Sequence, residues 1–140
     1  YLKCAKDPAY FMRKYCYIQH PTRGRILFNL YPFQEKILHV FKDNQYVITL
    51  KSRQLGISTL SAAYSLWLMI FHKDKNVLAL ATTQATARNL VTKVIFMYDQ
   101  LPKWLKLPSV EKNKLSLRLK NGSRIAAIIL MKRLLLLNKH

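Results

Sequence analysis

The residues most suited to chemistry form one run, Lys51-Ser52-Arg53-Gln54-Leu55-Gly56-Ile57-Ser58-Thr59, set between two apolar stretches. A loop of this kind, after a hydrophobic strand and before a helix, can hold phosphate. Backbone N–H groups and the helix N-terminus face the oxygens, a lysine neutralises charge, and a hydroxyl reaches magnesium. The usual pattern is G-x-x-x-x-G-K-[ST]. Gly56 and Ser58 hold their places here, Ile57 stands where the lysine belongs, and Lys51 stands at the first glycine. Lys51 and Arg53 are positioned to return the missing charge from the loop's other end. One charge-assisted contact is worth about 1.5–3 kcal/mol, so its outright loss would weaken phosphate binding by a decade or two. An ordinary turn with Ser58 or Thr59 as helix cap accounts for the same residues without any ligand.

The surrounding elements must hold that loop. Tyr46-Val47-Ile48-Thr49-Leu50 is a short apolar run rich in β-branched residues, and it predicts a central parallel strand. A helix follows from Ser58 through Ile70, then a second buried strand over Val77–Ala81, then a helix from Ala85 to about Gln100 that stops before Pro102. This alternation is that of an open α/β sheet. Upstream, Asp7-Pro8 predicts a helix start running past Tyr15. His20-Pro21-Thr22-Arg23-Gly24 predicts a turn, and Arg25–Phe28 a short extended piece. Tyr31-Pro32-Phe33-Gln34 opens a further helix that Asp43-Asn44 closes. Downstream, Lys114–Leu119 alternates apolar and polar residues, Asn121-Gly122 marks a hairpin turn, and Arg124–Ile128 returns. The tail Ile129–His140 changes character. It reads as a short amphipathic helix or, the preferred reading, as an artefact such as a frameshift.

The run Leu50-Lys-Ser-Arg-Gln-Leu-Gly-Ile-Ser-Thr-Leu60 resembles the Walker A segment of tailed-phage terminase large subunits, in which S-R-Q-L-G precedes a helix. Some members of that family carry the lysine at the loop's start, which Lys51 matches. Leu30-Tyr-Pro-Phe-Gln34 is similar to the family's adenine-recognising glutamine motif, and Ala81-Thr-Thr-Gln84 and the Asn121-Gly122 hairpin fit its order. The resemblance covers roughly Asp7 to Ala127. It implies a phosphate-loop NTPase-type α/β open sheet with flanking helices, incomplete, with a β-hairpin near the C-terminal end. Residues 1–128 would be the N-terminal portion of the ATPase domain. It implies ATP and magnesium as cofactors, with Lys51, Ser52, Arg53, Gln54, Leu55, Gly56, Ile57, Ser58 and Thr59 around the phosphates. Ser58 would meet the magnesium through ATP. Gln34 would pair with the adenine edge, with Tyr31 or Phe33 supporting the ring and the other aromatic packing in the core. Implied partners are double-stranded viral DNA, the portal protein, the small terminase subunit and further copies in a ring, in the host cytoplasm and away from membranes.

Hydrolysis needs a carboxylate on magnesium and a second to activate water, usually at the end of an apolar strand. The acids after the loop are Asp74, Asp99 and Glu111, and none follows such a strand. The chain is therefore expected to stop short of the catalytic half and of the family's nuclease domain, binding nucleotide weakly and hydrolysing none. The start on Tyr1 rather than Met points the same way, to a piece of a longer gene.

Composition bounds these readings. The chain has 140 residues, a hydrophobic fraction of 51%, and 24 Lys and Arg against 6 acids, a net +18. That surplus favours a polyanionic partner, or reflects the loss of an acidic second half. Cys4 and Cys16 have neither CxxC spacing nor clustered histidines, which argues against a disulfide framework or a zinc site. Leu60–Phe71 is too short to span a bilayer, and no signal peptide is evident. Trp67 and Trp104 read as packing residues, and Arg88 and Lys93 as a solvated basic face. Two other functions remain in view: a helicase-like ATPase, against which Ile57 argues, and a basic nucleic-acid-binding module without a nucleotide site.

Overall fold

The computed structural model describes residues 1–50 and 56–129. Helices α1 (Leu2–Lys6) and α2 (Pro8–Tyr15) meet at Asp7, whose carboxylate accepts from the Ala9 N–H at 3.0 Å while Pro8 fills the first helical position. A two-stranded hairpin follows, β1 (Tyr17–His20) paired antiparallel with β2 (Gly24–Leu27). Helix α3 (Pro32–Asp43) begins at the proline signal and ends at Asn44. Helix α4 (Ile57–Phe71) leads into strand β3 (Asn76–Ala81), and α5 (Gln84–Asp99) is capped by the Thr83 hydroxyl, which accepts from the Thr86 N–H at 3.3 Å. Strands β4 (Ser109–Lys112), β5 (Ser116–Leu119) and β6 (Arg124–Ile129) complete a mixed sheet in the order β3-β6-β5-β4. β3 and β6 are parallel, and the other two pairs are antiparallel.

Helix α5 lies on the sheet, packed on β3, β5 and β6, and carries α4 against its other side. The interior is filled by Leu60, Leu66 and Met69 of α4, Val91, Val94 and Met97 of α5, and Leu117, Leu119 and Ile125 of the sheet, all fully buried. At about 25 cal/mol per Å² of apolar surface, each such side chain contributes roughly 1.5–3 kcal/mol. An aromatic ladder on α4, Tyr64, Trp67 and Phe71, docks the N-terminal helices. Trp67 stacks on Tyr64 at 5.6 Å between centroids, and its indole N–H donates to the Cys4 carbonyl at 2.8 Å. Cys4 and Cys16 are free and buried, and burial raises both thiol pKa values, Cys16 the more strongly. Trp67 packs as expected. Trp104 departs from expectation: it is half exposed, edge-on to Tyr15.

The sequence reading needs two further corrections. Tyr46–Leu50 is not a strand: no ladder forms there among the described residues, and Tyr46, Ile48 and Leu50 are 85%, 98% and 100% exposed. An apolar run becomes a strand only where it pairs with a neighbour's hydrogen-bonding edge, and this segment joins neither sheet. Strand β3, expected to be buried on both faces, is covered on one. Val77 and Ala79 face the interior, while Leu78 and Leu80 stand more than half exposed beside Ile128 of β6. Strands β1 and β4 went unpredicted. The tail from residue 130 onward lies outside the described residues, while Ile129 closes β6.

Candidate functional site

Helix α4 has two unlike ends. At its C-terminus the last carbonyls are met by the turn between β5 and β6. The Asn121 amide donates to the Met69 and His72 carbonyls at 2.7 and 3.2 Å, and the Ser123 hydroxyl donates to His72 at 2.8 Å. Asn121 also accepts from the Ser123 N–H at 3.0 Å, and the Ser123 oxygen accepts from the Lys75 N–H at 3.1 Å. Gly122, with φ +87°, lets the turn lie against Asp74, since a Cβ there would sit 2.0 Å from the Asp74 carboxylate. The expected Asn121-Gly122 turn is real, and it also closes the end of a helix.

At the N-terminus, Gly56 is the cap residue in the left-handed region, φ +70° and ψ 17°, and its carbonyl accepts the first helical bond from the Leu60 N–H at 2.9 Å. The amides of Ile57, Ser58 and Thr59 precede any i−4 carbonyl of α4 and so have no partner inside the helix. Ile57 turns inward and is buried, so the residue at the usual lysine position packs rather than reaches out. Ser58 is exposed and Thr59 half-buried.

Gln34 of α3 joins this end. Its side chain is 3% exposed, and its amide nitrogen lies 2.8 Å from where a Gly56 Cβ would stand, so glycine is needed for both space and conformation. The Gln34 amide oxygen accepts from the Tyr31 N–H at 2.9 Å, while the Gln34 N–H donates to the Tyr31 carbonyl at 3.0 Å, tying down the first turn of α3. Tyr31 and Phe33 stack nearly parallel, 5.8 Å between centroids and 6° between planes. Neither is a core residue: Tyr31, the cap of α3, is 64% exposed and Phe33, in its first turn, more than a third.

These residues share a cleft of about 450 Å³, within the size range of small-ligand sites. Its walls include Tyr31, Phe33, Gln34, Gly56 and Thr59, together with His20, Arg23 and Asn29 around the β1–β2 hairpin. A second cleft of about 440 Å³ adjoins it through Ile18, His20 and Thr59 and reaches Lys93 and Phe96 of α5. The structure thus brings Tyr31, Gln34, Gly56 and Thr59 together, with Ser58 on the same helical turn. The expectations for Lys51, Ser52, Arg53, Gln54 and Leu55 fall outside the described residues. The sequence reading missed the hairpin wall. Its one available signal was the His20–Gly24 turn, which named a bend but not what the bend would face.

None of the three acids after the loop lines either cleft. Asp74 lies against Gly122, Asp99 pairs with Lys112 at 2.6 Å, and Glu111 accepts from Ser116 and Asn113. The Ser116 hydroxyl is the main cause that holds the Glu111 carboxyl below its ordinary pKa. Among the described residues no cluster of His, Cys, Asp and Glu could hold a metal ion, and no helix is long and apolar enough to cross a membrane.

The elements define a mixed α/β fold: a four-stranded sheet under helices, with a separate two-stranded hairpin beside the start of α4. No protein-family model matches the sequence. In structure the chain is similar to the large terminase of bacteriophage HK97, with a TM-score of 0.70 and 19% sequence identity. The match covers 89% of this chain and 27% of that one, so the chain spans about a quarter of the terminase's length. At that identity the likeness establishes a shared fold.

Proposed function

We propose that the cleft between α3, the β1–β2 hairpin and the start of α4 binds ATP, and that the chain is the nucleotide-binding part of a viral large terminase. In this reading the whole protein is an ATPase that drives double-stranded DNA into a procapsid. The observation that carries it is the Gln34 amide nitrogen 2.8 Å from the missing Cβ of Gly56. That approach brings residues of the two segments expected to hold base and phosphate, Gln34 and Gly56, far apart in sequence, to one wall of one cleft.

Each residue then has a task. Tyr31 and Phe33 offer an exposed aromatic platform for a base. Gln34, already braced by Tyr31, fixes the platform's distance from α4. The first amides of α4 and its dipole favour a phosphate oxygen. Ser58 is an exposed hydroxyl on that turn, a hard oxygen donor suited to magnesium. Magnesium would neutralise charge on the phosphates. The cleft has no Asp or Glu among its described lining residues, and in this reading the chain's part is binding and orientation. DNA, the portal protein, the small subunit, a ring of copies and the host cytoplasm belong to the same proposal.

A fluorescent ATP analogue titrated onto the chain tests it. Gln34→Ala and Lys51→Ala should each weaken binding about tenfold or more, and parent-like affinity in both would sink the site assignment. The net charge of +18 supports a second reading, a basic nucleic-acid module with no nucleotide site. It expects no thermal shift with magnesium-ATP and DNA binding that falls steeply with salt.

A further inference from the structure

The β1–β2 hairpin brings a cation to the cleft that the loop pattern does not include. Its register pairs His20 with Gly24, leaving Pro21, Thr22 and Arg23 as the turn. Gly24, at φ +69°, takes the left-handed position that closes such a turn. The His20 ring holds it: Nδ1 accepts from the Thr22 and Arg23 backbone N–H groups, both at 3.2 Å, and lies 3.1 Å from the Thr22 hydroxyl. The backbone under Arg23 is therefore fixed by a side chain that itself lines both clefts.

Arg23 lines the same cleft as Gly56, Thr59, Gln34 and Tyr31, and among the described lining residues it carries the one permanent charge. Ile57 at the usual lysine position is buried, so the start of α4 has no cation on its own first turn. A guanidinium suits that gap, since its planar fork matches phosphate oxygens two at a time and stays charged at any working pH.

We propose that Arg23 is a phosphate-contacting residue of this cleft, supplied by the hairpin rather than by the loop, and that it sets preference for nucleotides with a polyphosphate chain over the bare nucleoside. This rests on the nucleotide reading above and adds a residue and a specificity to it. Arg23 is exposed, so its variants should keep the parent melting temperature.

The experiment compares binding of ATP and of adenosine by calorimetry for the parent, Arg23→Ala and Arg23→Lys. The expected result is a loss of about ten- to a hundredfold for ATP in Arg23→Ala. Arg23→Lys should fall between, because a lysine keeps the charge and loses the fork, and adenosine binding should change less than about twofold. If ATP and adenosine weaken equally, Arg23 serves the base and the proposal is overturned. If neither weakens while the parent binds ATP, Arg23 is idle and the proposal alone falls. A parent that binds neither ligand overturns this proposal together with the nucleotide site.

Discussion

The two ends of α4 were built by opposite means. Its C-terminal carbonyls are met by Asn121 and Ser123, residues some fifty positions downstream (separations of 52, 49 and 51), so that end is closed by the protein itself. Its N-terminal turn borders a cleft walled by α3 and a hairpin, with an exposed Ser58 and Gly56 as the left-handed cap residue. Backbone groups at a helix end need partners in either case. Where the chain supplies them the end is a structural joint, and where it leaves room for a ligand the end is a candidate site. The first should govern stability and the second affinity.

Asn121→Ala should test the closed end with the largest effect. It strips a donor from two carbonyls and an acceptor from Ser123, and it should cost about 2–3 kcal/mol in urea unfolding. If the ends are independent, nucleotide affinity of the folded fraction will not move. Gly56→Ala strikes the open end. A Cβ in the left-handed region costs about 1–2 kcal/mol, and here it also collides with Gln34. Stability should fall by that amount, and ATP binding should fall far more than in Asn121→Ala. Equal affinities in the two variants would erase the distinction drawn between the ends. Ser58→Ala should leave unfolding within about 0.5 kcal/mol of the parent while reducing the gain in ATP affinity that magnesium brings.

The smallest effect lies far from both ends. Glu111 has a lowered folded pKa, chiefly through Ser116, so it binds fewer protons folded than unfolded. Its stabilising contribution is present above the unfolded carboxyl pKa and is lost as pH falls through the folded value. Glu111→Gln should flatten the acid side of a stability–pH curve, and an unchanged slope would show that the Ser116 contact has no weight in solution.

Local signals in the sequence carried a good part of the fold. Asp7-Pro8 and Tyr31-Pro32 mark helix starts by chemistry contained within a few residues, and each of these helices begins where its signal stands. The alternation over Ser116–Leu119 and the return at Arg124 likewise need only neighbours. Partners distant in sequence were not legible. Tyr46–Leu50 has a strand's composition, but composition does not say whether another edge will lie beside it. Asn121 read as a turn residue, and nothing local shows that its amide crosses to Met69. At the site, Gln34 and Gly56 were each named from their own motif, whereas their contact, the outward turn of Tyr31 and Phe33, and the Arg23 wall are products of packing.

The concealed thiols make the protein convenient to instrument. Thiolate is the species that attacks maleimides, and Cys4 and Cys16 are both buried with raised pKa values. The folded chain should therefore be silent to such reagents. A single Lys36→Cys on the exposed flank of α3 would then take a dye stoichiometrically, giving a one-colour sensor beside the Gln34 turn without first deleting either native cysteine.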